Sequence, residues 1–414
     1  MSTPWNVLVS AFACNPEGTG EARAAWTQVN ALARRHRVWV LTAENNRADV
    51  EAKMLSHPAT HLHFAYSSLP LVDIPERGRG VPVLHSAWQW RAYVRARRLH
   101  REIGFDVAWH LNGAGDRMAS FLWMLPVPLV WGPHVWTEFR DGDRPFGARL
   151  QRSVAALRMR HPLVRLTARN SALALGATPG VRAKLGELGA RSTGGFLPAA
   201  LPDDEIRDWA AIPPPPADPF RVLTFDSGGS GELAIRAFAM FRALHPRSEH
   251  VLVASANRRP GLRRAALEMG LPGAVQVEEP GARGLSRRVA DCHVVLQPSI
   301  AGSAGPECLA AMAAGRPIAA LERGAADGLL PPGAAIRAGA GEEAFRDLAM
   351  ALHELARSGD VYRAASQASK EWVSSMHTAE RLEIAMAQCC REAIGAGRKT
   401  ARPPATRVLT GANR

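Results

Sequence analysis

The sequence predicts an α/β protein built from two doubly wound parallel sheets, each covered by helices on both faces. Three observations predict it. Short apolar runs rich in β-branched residues alternate with helix-period segments along most of the 414 residues. The runs are continuous rather than alternating, as in strands buried on both faces. The alternation breaks once, at Pro213-Pro214-Pro215-Pro216, and then restarts.

Taken in order, Asn6-Val-Leu-Val-Ser-Ala-Phe12 reads as a buried parallel strand, followed by a Gly-containing loop and a helix over 24–35. Val38-Trp-Val-Leu-Thr42 is the next strand, with further strands at 61–66, 107–111, 127–131 and 172–176. Strand–helix–strand alternation of this kind implies a doubly wound, Rossmann-like sheet. Four prolines can join neither a helix nor a central strand, so 211–216 reads as a stiff linker. Beyond it come a strand at 222–225, a helix at 232–244, a strand at 250–255 and a helix at 262–269. Strands at 275–277 and 293–296, a helix at 308–314 and a strand at 317–321 complete the second set. An amphipathic helix over 378–394, with Leu382, Ile384, Ala385 and Met386 near one face, is expected to pack back on the rest. The expected organisation is therefore a first domain over 1–210, the linker over 211–216, a second domain over 217–376, a C-terminal helix over 377–394 and a disordered basic tail over 395–414.

Composition narrows the function classes. At 47% hydrophobic and 21% charged residues the chain reads as a soluble globular protein. No apolar run approaches the roughly 18 residues of a spanning helix, and the first residues carry no basic n-region, so no signal peptide is expected. Cys14, Cys292, Cys308, Cys389 and Cys390 are scattered, without the spacing of a zinc module or a disulfide framework, which fits a reducing cytoplasm. The net charge of +13 invites a nucleic-acid reading. Five of those charges sit in the tail, on Arg398, Lys399, Arg402, Arg407 and Arg414. With no recognition motif or aromatic platform, no specific nucleic-acid partner is expected.

Two facing α/β sheets would form a cleft at the carboxyl ends of their strands, where ligands of such sheets bind. Four segments bear on what binds there: Val9-Ser-Ala-Phe-Ala-Cys-Asn-Pro-Glu-Gly-Thr-Gly-Glu-Ala-Arg-Ala-Ala-Trp26, Phe105-Asp-Val-Ala-Trp-His110, Pro128-Leu-Val-Trp-Gly-Pro133 with Glu138 beyond it, and Cys308-Leu-Ala-Ala-Met-Ala-Ala-Gly-Arg-Pro317. In this order they resemble bacterial family 4 (group 1) glycosyltransferases. The resemblance implies the two-domain GT-B fold, with the acceptor on the first domain and a nucleotide-sugar donor on the second. It also implies retention of anomeric configuration and no cofactor or bound metal.

Site residues follow from the resemblance and the local chemistry together. The loop carrying Gly18, Gly20 and Glu21 lets backbone amides at a helix start approach a phosphate or sugar, and Arg23 on that helix would add positive charge. His110 ends a strand and matches a family histidine that contacts the transferred sugar; Glu138 matches a family glutamate. These two are the catalytic candidates. His134 and Trp136 stand where relatives carry a glycine-rich stretch, so they narrow or alter the acceptor side.

The donor side departs from the family. An arginine and a lysine usually hold the donor diphosphate on the loop after the second domain's first strand, but Asp226-Ser-Gly-Gly-Ser-Gly231 has no basic residue. The two family glutamates fall at Gly302 and Ala310, with Glu307 between them. Losing two to four charge-assisted contacts costs on the order of 5 kcal/mol, roughly 10³–10⁴-fold in rate, unless something replaces them. The replacement expected is main-chain: Gly228, Gly229 and Ser230 in one loop, with Ser303, Ala304 and Gly305 in the other, would bind the diphosphate through amides and helix dipoles.

Helix 91–101, Arg91-Ala-Tyr-Val-Arg-Ala-Arg-Arg-Leu-His-Arg101, follows Trp88 and Trp90 and has the composition of a face that rests on anionic lipid. The expected protein is thus a cytoplasmic enzyme, peripheral on the inner face of the membrane. It would move a hexose-type sugar from a nucleotide donor to a saccharide or lipid-linked acceptor in polysaccharide or glycoconjugate synthesis. The alternative is a weakened or inactive relative that uses the fold to bind a sugar or a partner.

Overall fold

The computed structural model describes residues 3–18, 20–69, 81–112, 119–134, 162–177, 179–195, 199–226, 230–298, 305–322, 330, 335–338 and 343–400. Within them the chain forms two sheets. The first contains β1 (Asn6–Ala11), β2 (Arg37–Ala43), β3 (Leu62–Ser67), β4 (Val107–Asn112), β5 (Leu129–His134), β6 (Leu173–Gly176) and β7 (Thr193–Gly194), in the order β3-β2-β1-β4-β5-β6-β7. The second contains β8 (Phe220–Phe225), β9 (Ser248–Val253), β10 (Val275–Glu278), β11 (Val294–Gln297), β12 (Ile318–Leu321) and β13 (Ala335–Ala338), in the order β10-β9-β8-β11-β12-β13. Every pairing is parallel.

The helices are α1 (Glu21–Ala33), α2 (Arg47–Ser56), α3 (Val81–Ile103), α4 (Pro162–Asn170), α5 (Pro179–Glu187), α6 (Asp203–Ala210) and α7 (Gly231–Leu244). They continue with α8 (Arg259–Glu268), α9 (Ala282–Asp291), α10 (Pro306–Ala313), α11 (Ala344–Arg357), α12 (Gly359–Met376) and α13 (Ala379–Thr400). Each strand and helix read from the sequence is present, most with ends displaced by a few residues; the basic helix read over 91–101 begins ten residues earlier, at Val81, so Trp88 and Trp90 lie inside it rather than before it.

Burial on both faces explains the unbroken apolar strands. In β1, Val7, Val9 and Ala11 join the core shared with α1 and α13, while Leu8 points into the opposite core, which holds Trp88 and Ala92 of α3. In β4, Val107, Trp109 and Leu111 take the first side and Ala108 the second. A polar residue on such a strand is therefore forced into a core unless it lies at the strand's end.

The C-terminal helix does pack back. Leu382, Met386, Cys389, Cys390 and Ala393 of α13 complete the core of the first sheet, so the last helix of the chain finishes the first unit. It runs on to Thr400, through residues 395–400 that the sequence assigned to a disordered tail. Packing overrides the two glycines there: a side chain at Gly397 would meet Pro128 Cβ at 3.3 Å, so the helix lies close against the first unit. Residues 401–414 lie outside the described residues.

The crossing between the two cores precedes the prolines. Ile206 and Trp209 of α6, and Ile212 after it, pack with Leu309 and Met312 in the second core. Arg316, 2% exposed, pins the proline stretch by donating to Pro213 O at 2.7 Å, and also donates to Val289 O at 2.9 Å. The chain passes between cores near Leu201, whose amide donates to His377 O at 2.9 Å where the returning strand of chain leads into α13. Composition marks the prolines as a connector, but a short amphipathic helix with two large apolar side chains finds its partner across the boundary.

Candidate functional site

Strand order reverses direction between β1 and β4 in the first sheet, and between β8 and β11 in the second. At such switch points the loops on either side diverge and leave a crevice outside the carboxyl ends of the strands. The loop from β1 to α1 and the end of β4 border the first crevice. The loop from β8 to α7 and the loop from β11 to α10 border the second. Of the residues read from the sequence, Gly18, Gly20, Glu21 and His110 lie at the first, and Ser230, Gly305 and Glu307 at the second. Trp136, Glu138, Gly228, Gly229, Ser303 and Ala304 lie outside the described residues.

His110 is 3% exposed on the α3 side of the sheet, in register with Ser10 on β1 and Trp131 on β5. Ser10 Oγ, His110 Nδ1 and Trp131 Nε1 are all buried and without a hydrogen-bond partner. Burial lowers the His110 pKa to about 3, helped by the neighbouring charges of His134 and His85. The imidazole is therefore neutral at physiological pH, offering one donor and one acceptor rather than a proton. His85 is likewise lowered to about 4 by burial, its ring edge-on to Phe12 at 4.1 Å. His134, the acceptor-side candidate, is 4% exposed and packs edge-on against Trp131 at 4.2 Å. It is the last residue of β5.

The start of α1 borders the same crevice. Gly20 is the N-cap residue at φ 56°, ψ −124°, and no side chain caps the helix there. A Cβ at Gly20 would meet nothing within 4 Å, so the glycine answers to backbone conformation, not crowding. Glu21 opens the first turn and is exposed. Arg23 is not free to face a phosphate: its guanidinium donates to Pro16 O and pairs with Glu205 of α6. It ties the first unit to the helix that packs on the second.

At the second crevice both helix starts already carry a carboxylate. Asp226, its side chain only 2% exposed, accepts from the Gly231 amide at 2.8 Å and thereby caps α7. Glu307 folds back over the N-cap of α10, where a side chain at Gly305 would collide with its carboxylate. Each carboxylate sits where a helix dipole attracts negative charge. Ser230, the N-cap of α7, is 7% exposed, and its Oγ has no hydrogen-bond partner. Ala310, at a family glutamate position, is 2% exposed and belongs to the second core. Cys308, beside Glu307, has its thiol pushed far up by burial and is no nucleophile.

Two arginines escaped the sequence reading. Arg258 and Arg259 stand after β9, beside the loop after β8, because Asp226 N donates to Val253 O at 2.8 Å. Arg258 Nε donates to Asp226 Oδ2 at 3.1 Å, and Arg259 Nη2 lies 3.4 Å from Glu279. Their sequence signal is a basic pair opening a helix straight after a strand, one strand away from the glycine-rich loop 226–231. Among the described residues no three His, Cys, Asp or Glu side chains gather in a way that could hold a metal ion.

No protein-family model and no curated protein sequence matches the chain. Solved structures do. The chain is similar to a sucrose-phosphate synthase from Thermosynechococcus elongatus, at 16% identity and TM-score 0.67, covering 95% of this chain and 100% of that one. It is similar to Alr3699/HepE from Anabaena, solved in complex with UDP and glucose, at 14% identity and TM-score 0.61, covering 93% and 98%. It is also similar to WaaG, a glycosyltransferase involved in lipopolysaccharide biosynthesis, at 13% identity and TM-score 0.56, covering 92% and 98%. The fold is GT-B: two Rossmann-like units facing a cleft, as the sequence predicts.

Proposed function

We propose that this protein is a glycosyltransferase, moving a hexose-type sugar from a nucleotide-sugar donor to a saccharide or lipid-linked acceptor with retention of configuration. One observation carries the reading. His110, buried, neutral and with Nδ1 lacking a partner, lies in the C-terminal half of β4, two residues before its end, at the first switch point, where the family resemblance places the histidine that touches the transferred sugar. The Anabaena neighbour, solved with UDP and glucose, supplies the ligand chemistry by analogy.

Such a transfer proceeds through an oxocarbenium-like transition state as a diphosphate departs, and it needs positioned dipoles more than an enzymic nucleophile. A neutral His110 suits this task. It can hold a sugar hydroxyl without placing a second positive charge beside the developing cation. Gly18, Gly20 and Glu21 would lie against the donor and acceptor, and Glu138, His134 and Trp136 would serve the acceptor side. The activity belongs to polysaccharide or glycoconjugate synthesis on the cytoplasmic side of a membrane. A screen of nucleotide sugars for hydrolysis and transfer tests the reading; His110→Ala should abolish whatever turnover is found, and turnover that survives that change refutes the role.

A second reading has its own support. Asp226 and Glu307 occupy both helix starts at the donor crevice, and Ala310 is built into the core. A protein that binds a sugar or a partner without transferring anything fits that arrangement, and in it His110→Ala and Glu21→Ala would leave function unchanged.

Membrane contact is part of the proposal. Trp90 is 50% exposed on α3, and Arg91, Arg95, Arg97, Arg98 and Arg101 are exposed beside it, none in an ion pair among the described residues. No helix among the described residues is long and apolar enough to cross a membrane. Flotation with vesicles containing anionic lipid, but not with neutral vesicles, is the expected outcome.

A further inference from the structure

We propose that Arg258, together with Ser230, binds the diphosphate of the nucleotide donor, a cation brought by the loop after β9 to replace those missing from the loop after β8. The inference rests on the nucleotide-sugar reading above and says how its donor is held.

Asp226 takes the Gly231 amide, so the start of α7 meets an incoming phosphate with a carboxylate. A dianionic group brought beside Asp226 would be repelled unless a cation stands between them. Arg258 is that cation. Its Nε is held by Asp226 Oδ2 at 3.1 Å, which aims and neutralises the pair, while its Nη2 is buried without a hydrogen-bond acceptor. Glu232 Oε1 lies 3.9 Å from Nη2, beyond hydrogen-bond reach. A guanidinium anchored by one edge with the other edge unsatisfied is suited to fork onto phosphate oxygens.

Independent support comes from Ser230. Its hydroxyl, on the residue that starts α7, is buried and unpartnered within the same loop. These two orphaned donors beside Asp226, Arg258 Nη2 and Ser230 Oγ, call for a ligand rich in acceptors and in negative charge, and a diphosphate is both.

The test is isothermal titration of the full chain with UDP, ADP and GDP, and with the corresponding nucleosides, against wild type, Arg258→Gln, Arg258→Lys and Ser230→Ala. Loss of a charge-assisted contact should weaken the diphosphate that binds wild type by about tenfold to hundredfold in Arg258→Gln, with Arg258→Lys recovering part of it. Loss of one neutral hydrogen bond in Ser230→Ala should weaken it about fivefold. The nucleoside should bind all four proteins alike. Equal diphosphate affinity in wild type and Arg258→Gln overturns the inference while leaving the nucleotide-sugar reading intact. Equal weakening of nucleoside and diphosphate also overturns it, since Arg258 then only supports the fold. Should Arg258→Gln fail to fold, unchanged diphosphate binding in both Arg258→Lys and Ser230→Ala overturns it. If wild type binds no nucleoside diphosphate, the parent reading fails and takes this one with it.

Discussion

Acid should destabilise this protein through its buried histidines, the most strongly shifted of which lie one in each unit. His110 is 3% exposed and His250 fully buried, and burial lowers both pKa values from the ordinary 6.5 to about 3. His250 Nε2 shares a 2.9 Å hydrogen bond with Thr224 Oγ1 at the centre of the second sheet. Since the folded pKa is the lower one, the unfolded chain binds more protons between the two values. Stability is therefore full above pH 6.5 and is lost as pH falls toward 3. Between pH 6.5 and pH 5 each histidine gives up about 1.6 kcal/mol by linkage, about 3 kcal/mol for the two. Urea unfolding followed by tryptophan fluorescence at the two pH values measures the loss. If the units unfold in separate transitions, each midpoint should move by its own share. His110→Gln should remove its own part of the first unit's loss, leaving the part due to His85, and leave the second unit's loss unchanged. An unchanged acid response in that variant would refute the claim that His110 is held neutral by burial.

Three further outcomes follow from the packing. Met386→Ala empties a site that is fully buried in the first unit's core, and should cost about 2–5 kcal/mol, read as faster hydrogen exchange in β1 and β4 rather than in the second sheet. Gly20→Ala forces a side chain onto φ 56°, ψ −124° and should lower urea stability by about 1–3 kcal/mol although there is room for the methyl group. Asp226→Ala removes the cap from α7 and the anchor from Arg258. A loss of about 1–2 kcal/mol in thermal or urea unfolding is expected, and an unchanged midpoint would contradict the capping role.

Much of the molecule was legible because sheet burial writes itself into composition. Strands covered on both faces must be apolar throughout, and so β1, β2, β4 and β8 stood out. The helices α11 and α12 and the strand β13 did not, since residues 335–376 mix alanine, charge and glycine without a clean run. The packing of helix α6 on the second core was hidden for a related reason. Prolines are conspicuous, whereas the pairing of Ile206 and Trp209 with Leu309 and Met312 depends on which helix arrives opposite. Among the site residues, His110, Gly18 and Gly20 could be found because a polar residue late in an apolar strand and a glycine turn are local features, although β4 runs two residues past His110. Arg258 could not, since its meaning lies in an Asp226 that is 32 residues away.

By itself the sequence determined the class of fold, the order of its strands and helices, and which strand ends carry polar groups. Periodicity and burial act on neighbours along the chain, so they are visible in it. Tertiary structure alone decided that the last helix completes the first unit, that Arg23 is taken by Glu205, and that Asp226 caps a helix while aiming a guanidinium. It also set Ser10, His110 and Trp131 side by side. Those facts are contacts between distant segments, and only the order in which strands join a sheet brings such segments within reach.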